Sequence, residues 1–413
     1  MINPDHNRIR TFLKQTFFSF KHKDFVFLWL GMFLIMTGGQ MHQTARGMLV
    51  YTMTESPTIL GSITVAEAIP MLIFGLFGGA IADVFNRKTI VLVGQFVTMC
   101  IAVFITVFAI IDYLFWYHLL FTAIIQGAFW ALTIPARQAL IPGIVGEQNL
   151  GNAMAIVGAG TSAAVLIGPV FGGILYGAFG PKGVYLIISI ISLSGFTSTL
   201  FIHRPVDTET HLDTKKLVKQ MLNGLVYAWK VKDVFVILFV GFMIGLLTNP
   251  LRVFLPALVV NRYQKKSEIL GLFVSALGLS SLIGSMSLAA IGNRRRGLIF
   301  IISGILCGLA VVIAVFMPVY WLALLLLLVF GLGEAGQRVL SQSLLMGRVS
   351  DSYRGRIMSL QEMKLGLMFL GALPAGFLAE FLGVEPTLKI LGSLAVIVSI
   401  AVLVKGRNLR QIM

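Results

Sequence analysis

The chain has 413 residues, of which 57% are hydrophobic and only 12% are charged, whereas a soluble domain carries about 25% charged residues, so the composition excludes a soluble globule. The formal net charge is +15, yet the lysines and arginines stand in short clusters between long apolar runs, which is typical of a membrane protein and argues against nucleic-acid binding. Cys100 and Cys307 lie inside apolar runs without the spacing of a metal or redox site, and we expect no metal and no cofactor.

The N-terminal stretch, residues 1–24, combines cations with aromatic side chains. It holds five lysines or arginines and no cleavable apolar core, so it is not typical of a secretory signal. Phenylalanines interleave with these cations. This pattern predicts an amphipathic segment that lies along the cytoplasmic surface of the membrane.

Twelve apolar runs follow, each long enough for the roughly 20 residues that a spanning helix needs. Lipid offers no partner for backbone groups, so an all-α membrane protein with twelve transmembrane helices is predicted. Six helices form an N-terminal bundle at 25–203 and six form a C-terminal bundle at 233–404. A polar cytoplasmic linker at 204–232, with an amphipathic helix predicted at 214–229, joins them, and a cytoplasmic tail follows at 405–413. The approximate limits of the runs are 25–50, 59–82, 90–111, 117–140, 152–178, 183–203, 233–259, 269–291, 298–316, 319–346, 356–382 and 386–404.

The distribution of lysine and arginine predicts the orientation of these spans. With the N-terminus inside, the inner loops and tails hold 23 of these residues and the outer loops hold 4. An even number of spans returns the C-terminus to the same side, so both termini are expected to be cytoplasmic. Five further cations fall within spans, and these are Arg46, Arg252, Arg338, Lys364 and Lys389.

The two halves of the chain repeat each other. The run at 60–83 aligns without gaps to the run at 270–293, at an offset of 210 residues, and the basic residues after each run coincide. A further match pairs Gln138-Ala-Leu with Gln342-Ser-Leu. Two parallel six-helix repeats of this length are the layout of major facilitator transporters.

The loop after the second predicted span carries Gly79, then Asp83 four residues on, then the basic pair Arg87 and Lys88. This motif resembles the signature of the major facilitator superfamily, with Asn86 in place of the family's usual glycine. The resemblance implies that the cluster latches the two halves on the inner side. The chemistry agrees, because Asp83 can accept from helix N-termini, and Arg87 and Lys88 can pair with acids or lipid phosphates. Simple anchoring by positive charge is the alternative.

The fifth predicted span carries a second motif, which reads Gly168-Pro169-Val-Phe-Gly172-Gly173. Glycines at this spacing let another helix approach closely, and the proline loosens its own helix. The motif resembles the GPxxGG of the antiporter branches of the superfamily, which implies a part in conformational change. Generic helix packing is the alternative.

Nothing in the sequence indicates an enzyme. Gly331, Gly333 and Gly336 spell GxGxxG, but they lie inside a predicted membrane span rather than after a strand, so we expect close helix packing and not dinucleotide binding. The chain has no GxxxxGK[ST] loop, no HExxH and no recognisable pair of nucleophile and base.

Four further stretches resemble one branch of the superfamily, the branch that includes enterobactin exporters and macrolide-efflux proteins. They are FKHKDFVFLWLG at 20–31, QTARGMLVYTMTESPTILGS at 43–62, PARQALIP at 135–142 and GRVSDSYRGRIMSL at 347–360. The resemblance extends over about 20–400 and implies a monomeric, multi-pass transporter of the bacterial inner membrane with a small-molecule substrate. It does not name the cargo, because fold and function separate in such families.

Charged and polar side chains within the predicted spans form the candidate site, because a charge at mid-bilayer costs roughly 2.5–3.5 kcal/mol on insertion scales. Arg46 and Glu67 lie at similar depth on either side of one loop and can pair. Glu334 and Arg338 stand four residues apart and share a helix face. The carboxylates predicted to couple protons are Glu67, Glu334 and Glu362. The predicted lining of the substrate cavity is Gln40, Gln43, Arg46, Gln126, Trp130, Asn249, Arg252, Gln337, Arg338 and Lys364.

Three functions are compatible with these patterns. The first is proton-coupled export of an amphipathic organic compound, a drug or a siderophore, by rocking one half against the other. The second is uptake or facilitated exchange of a metabolite, organic anion or lipid, and Arg46 and Arg252 on corresponding spans favour an anionic group on the cargo. The third is a sensor or scaffold that does not transport. For the charged residues themselves, structural ion pairs between helices are the alternative to a role in coupling.

Overall fold

The computed structural model describes residues 18–203, 226–291 and 295–405. For 76–84, and for a few positions between 351 and 405 that include Glu362, it describes the backbone alone. Most of the predicted N-terminal amphipathic segment and of the predicted linker helix lie outside the described residues, as does the tail after residue 405. The elements of the described ranges are helices and contain no strand.

Besides a helical stretch at 226–230, the described chain contains thirteen α-helices with defined bounds, which we number in chain order. They are α1 Lys23–Thr54, α2 Pro57–Val84, α3 Arg87–Ile110, α4 Trp116–Val145, α5 Leu150–Leu200, α6 Lys232–Thr248, α7 Pro250–Ala257, α8 Ser267–Ile291, α9 Arg296–Phe316, α10 Tyr320–Arg348, α11 Asp351–Phe369, α12 Ala372–Leu382 and α13 Val384–Lys405. Short 3-10 turns at Phe18–Lys21 and Glu147–Asn149 precede α1 and α5, and a π-helical turn at Leu258–Arg262 follows α7.

Helix α5 contains two passes rather than one. Its 51 residues would reach about 77 Å at 1.5 Å per residue, more than twice the roughly 30 Å of a hydrocarbon core. Gly180 breaks the helix with a positive φ of 64°, which glycine adopts without steric cost. Before the break Gly160 packs on Trp29, and after it Phe201 lies 5.7 Å from Phe27 between ring centroids. Both arms therefore meet the same end of α1, and the chain reverses at Gly180.

Ten helices of the described chain are long and apolar enough to cross a membrane, with α5 counted once, and Gly366–Leu382 forms a shorter apolar helix. The predicted total of twelve spans stays a prediction. Two of the predicted spans contain a local break in the helix, although Lys232–Arg262 still counts as one candidate span. The span at 233–259 is interrupted at Pro250, whose ring removes a backbone donor. The span at 356–382 is interrupted between α11 and α12.

The internal repeat is visible in the positions at which corresponding helices begin. Helices α6, α8, α9 and α10 begin 209, 210, 209 and 204 residues after α1, α2, α3 and α4. The offset of 210 between α2 and α8 is the one that the sequence alignment predicts. The two bundles are thus built from the same order of helices, used twice.

The two bundles meet along two seams. In the first seam the first arm of α5 packs against α8, and in the second seam α2 packs against α12 and α11. Helices α1 and α4 lie between the seam helices of the first bundle, and α6, α7 and α10 lie between those of the second. The remaining helices pack outside them and expose large apolar side chains such as Val103, Ile190 and Ile397, a surface suited to lipid.

Candidate functional site

A buried ion pair joins α1 to α2 within the first bundle. The Arg46 guanidinium donates to the Glu67 carboxylate, and the two side chains are only 10% and 15% exposed. The local fold explains the meeting. Helix α1 ends at Glu55 in a left-handed turn and α2 begins at Pro57, so residues on either side of the turn stand at one depth. The ion pair between Arg46 and Glu67, which their equal depth made possible, is therefore present.

Two residues beside this pair were not singled out by the sequence analysis. His42 lies one turn before Arg46 on α1, and its ring is 5.6 Å from that of Tyr185 between centroids. His42 Nε2, Tyr185 Oη and Arg46 Nη1 are buried without a hydrogen-bond partner in the described chain. The spacing of four between His42 and Arg46 was the signal that could have identified this polar cluster.

A second ion pair joins α7 to α10 in the second bundle. Arg252 donates to the Glu334 carboxylate, and these side chains are 34% and 36% exposed, so this pair is more accessible than the first. Asn249, just before α7, has a buried amide nitrogen without a partner among the described residues. Arg338 shares a helix with Glu334 but donates to Ser281 Oγ of α8 at 3.0 Å.

The remaining residues predicted to line the cavity divide into two groups. The side-chain amide of Gln337 donates to the Phe300 carbonyl of α9, inside the second bundle. A polar side chain in a span can form its hydrogen bonds with a neighbouring helix of its own bundle. Composition does not reveal whether its partner lies there or in the cavity. Lys364 is buried against Gly241 of α6. The others lie on helices between the seams, with Gln126 buried, Gln40 and Trp130 half-buried and Gln43 exposed.

The basic pair of the first motif binds carbonyl groups of its own bundle. Asn86 caps α3 by accepting from the Thr89 amide at 3.2 Å, which explains why asparagine serves in place of glycine. Arg87 donates to the Ala139 carbonyl at 3.2 Å, and Lys88 donates to the Leu200 carbonyl at 3.1 Å, where α5 ends. The side chain of Asp83 and the surroundings of Gly79 are not described. The predicted latch between halves stays a prediction.

The glycine-proline motif of α5 lies in the first seam and faces both bundles. A Cβ at Gly168 or Gly172 would press on Gln40 or Met41 of α1, and one at Gly173 would clash with the Ser267 carbonyl of α8. The Pro169 carbonyl in turn abuts Gly271 of α8. Two hydrogen bonds cross the same seam, from Ser267 Oγ to the Gly173 carbonyl at 2.9 Å and from Ser275 Oγ to the Leu166 carbonyl at 2.7 Å.

The second seam is closed by a carboxylate at a helix N-terminus. Glu380, near the end of α12, accepts from Ser56 Oγ at 2.8 Å and from the Thr58 amide at 3.3 Å, where α2 begins. Asn261 donates to the Tyr51 hydroxyl nearby and also joins the two bundles. These contacts all lie at the end of the molecule away from residues 18 and 405, which we call the closed end.

The opposite end, which carries the described chain termini and which we call the open end, is less tightly packed. At Gly75, Gly151 and Gly158 an added Cβ would meet nothing within 4 Å. Ile73 of α2 and Met286 of α8 are 52% and 67% exposed, although both belong to seam helices. The seams are therefore joined at the closed end and separate toward the open end.

Arg137 is a half-buried cation that the sequence analysis did not assign to the site. It lies on α4, between the seams, and its Nη2 approaches the Met36 sulfur of α1 at 3.8 Å. Its Nε has no hydrogen-bond partner in the described part of the chain. Arg137 thus places a further guanidinium group between the seams, in addition to those of the two ion pairs.

A family model, the Major Facilitator Superfamily, matches residues 28–368. The chain belongs to the major facilitator superfamily. It is a multi-pass integral membrane transporter and not an enzyme. The superfamily accounts for the repeat, for the two seams and for the helices that lie between them.

Proteins of similar sequence include transporters with named cargo. The enterobactin exporter EntS of Citrobacter koseri is 25% identical over 75% of this chain and 73% of its own length. The staphyloferrin A transporter of Staphylococcus aureus is 21% identical over 92% of this chain and 95% of its own. The macrolide efflux protein A of Streptococcus pyogenes is 19% identical over 91% of this chain and 94% of its own.

Solved superfamily structures show the same fold. The nucleoside transporter NupG superposes with a TM-score of 0.72 at 14% identity, over 93% of this chain and 99% of its own. A bacterial homologue of the human lysosomal transporter Spinster, in an inward-facing and unoccupied conformation, gives 0.68 at 13% identity, over 94% and 95%. At these identities the likeness concerns the fold alone.

Proposed function

We propose that this protein is a proton-coupled exporter of an amphipathic organic compound, a drug or a siderophore, in a bacterial inner membrane. The names of its relatives support this class of cargo, since they include an enterobactin exporter and a macrolide efflux protein. Both termini are cytoplasmic in this proposal, in agreement with the excess of basic residues on that side. The open end then faces the cytoplasm, from which an exporter takes its cargo.

The observation that carries the proposal is the presence of one arginine–glutamate pair in the interior of each bundle. A carboxylate at membrane depth is costly unless it is paired or functional. A proton on the glutamate neutralises it and releases the arginine, and a polar or anionic group of the cargo can then bind that arginine. Proton and cargo therefore compete for one pair, which is the requirement for antiport.

Glu334 is the stronger candidate for the coupling carboxylate. Its pair with Arg252 is about one third exposed, whereas the pair of Glu67 with Arg46 is nearly closed off from solvent. Protons and cargo that enter from the open end reach the accessible pair more readily. We propose that Glu334 exchanges the proton and that Glu67 stabilises the fold of the first bundle. Glu362, whose side chain is not described, remains a second candidate.

Proton flux in proteoliposomes tests the coupling. The purified protein should release protons when cargo is supplied and should accumulate a macrolide only when a pH gradient is imposed. Glu334→Gln should transport without responding to the gradient, because its carboxyl can no longer exchange a proton. Glu147→Gln is the matched control, since Glu147 is exposed in a surface turn. Gradient-driven accumulation by Glu334→Gln would reject the coupling assignment. Movement of cargo without protons in the unaltered protein would favour facilitated exchange.

A further inference from the structure

Two guanidinium groups in the open-end halves of spanning helices have no carboxylate within ion-pair distance in the described part of the chain. They belong to Arg137 on α4 and Arg338 on α10. Both helices lie between the seams, one in each bundle. The other two interior arginines, Arg46 and Arg252, are each neutralised by a glutamate. Among the interior arginines that the structure describes, the two without a carboxylate partner thus come one from each bundle.

The two arginines lie at similar depth and toward the open end. Arg137 is 21 residues from the start of α4 and Arg338 is 18 residues from the start of α10, or about 32 and 27 Å along the helices. The match of Gln138 with Gln342 places Arg338 one turn from the position equivalent to Arg137. Glu67 and Glu334 lie closer to the closed end, 10 and 14 residues from the starts of their helices.

The surroundings of the two groups suit an anion attached to an apolar body. Arg137 donates to the Met36 sulfur and its Nε has no hydrogen-bond partner among the described residues, and Arg338 is exposed and donates to the Ser281 hydroxyl. Met36 borders a crevice between α1 and α5 that Trp29 and Phe33 also line. These two rings stack at 5.4 Å with an interplanar angle of 5°. The crevice itself has a volume of only about 10 Å³, so a flat apolar group would lie along its outer edge while its anionic end meets the guanidinium.

We propose that Arg137 and Arg338 form an entry site at the open end that binds the anionic group of an amphipathic cargo before it reaches the ion pairs. This inference rests on the proposed export of such a compound and names its charge. A guanidinium is costly at membrane depth unless water or a partner reaches it. The cargo's anion supplies that partner, and the neutral pairs deeper in the molecule do not repel it.

Binding of an acid and of its uncharged ester tests the site. The probes are 6-hydroxy-2-naphthoate and its methyl ester, titrated calorimetrically into the full chain in nanodiscs of phosphatidylcholine. The acid should bind about ten-fold more tightly than the ester, the effect of one charge-assisted contact. Arg137→Gln and Arg338→Gln should each remove most of this preference, and the lysine variants at both positions should retain part of it. Lys182→Gln is the control, because Lys182 pairs with Asp112 at the closed end.

The outcomes separate this proposal from its alternatives. Equal binding of acid and ester, or a preference that survives in both glutamine variants at unchanged melting temperature, would overturn it. An anionic lipid headgroup offers the same chemistry as a free anion, so a second set of discs contains phosphatidylglycerol. Stabilisation by that lipid, lost in both variants and without any preference for the naphthoate, would reject a free cargo at this site. An acid preference without proton-dependent transport would reject the coupling and leave the entry site intact.

Discussion

At the scale of single residues, the two arginine–glutamate pairs have the same chemistry but different surroundings. The pair of Arg46 and Glu67 is almost fully enclosed, beside a histidine and a tyrosine that lack partners of their own in the described chain. The pair of Arg252 and Glu334 is about one third exposed. Removing one member of an enclosed pair leaves a charge that water cannot reach, whereas the same change at a more open pair is relieved by solvent.

Glu67→Gln should therefore lower the free energy of unfolding by about 3 kcal/mol, the usual cost of a buried charge that has lost its partner. Arg46→Gln should cost a similar amount, and the double variant should cost less than the sum of the two. Glu334→Gln should have a smaller effect on stability. Denaturant titration of the detergent-solubilised protein gives these values, and the double-variant cycle isolates the pair. Additive effects at Glu67 and Arg46 would show that the pair does not stabilise the fold.

The sequence could predict part of this site. Arg46 and Glu67 could be paired because a tight turn sets both at one depth. The partnership of Glu334 with Arg252 could not, because it joins positions 82 residues apart and depends on how two helices are rotated. Arg137 was missed for another reason. It lies three residues before the end of the fourth predicted span and was counted with the cytoplasmic loop, whereas α4 continues past it to Val145.

At the scale of helices, different interactions join the two bundles at the closed end in each of the two seams. The first seam depends on glycine, because Gly173 and Gly271 let the backbones of α5 and α8 touch. The second seam depends on charge, because Glu380 of α12 lies at the N-terminus of α2, where free amide groups and the helix dipole favour an anion. Both interactions join one bundle to the other, and neither is a contact within a single bundle.

Glu380→Gln should weaken the closed end without unfolding either bundle. A charge at a helix N-terminus contributes about 0.3–1 kcal/mol, so the population with a separated closed end should rise by about two- to five-fold. Distances between spin labels placed on Thr52 and Phe377, measured by electron resonance, report that population. Asp112→Asn is the control, because Asp112 also lies at the closed end but pairs with Lys182 of its own bundle. An unchanged distance distribution in Glu380→Gln would rule out the charge as a latch.

The order of the helices was more predictable than their interruptions. Hydrophobic runs located the spans, and the gap-free alignment of 60–83 with 270–293 gave the offset at which α2 and α8 begin. The reversal at Gly180 falls in the gap between the predicted spans 152–178 and 183–203, where Gly180 and Pro181 interrupt the apolar run. The interruption at Pro250 has a local cause in the missing amide, but apolar composition hides it.

At the scale of the whole molecule, the bundles touch at one end and separate toward the other. Two repeats that rock about a central space can exchange these ends, which is how such transporters give access to each side in turn. The exchange requires that a residue exposed at the open end becomes protected when a residue in the closed seam becomes exposed. Met286 and Ala372 are suited to this comparison, since the first is 67% exposed and the second is fully buried against α2.

Thiol labelling with a membrane-impermeant maleimide tests this exchange on a background with Cys100→Ser and Cys307→Ser. Without cargo, Met286→Cys should label rapidly and Ala372→Cys slowly, because only the open end admits water. A bound inhibitor or an imposed pH gradient that drives the other state should slow the first and accelerate the second. Lys182→Cys, exposed at the closed end, should label equally in both conditions and controls for reagent access. If Met286→Cys and Ala372→Cys label rapidly together, the two ends open at once, and a channel rather than alternating access would describe the protein.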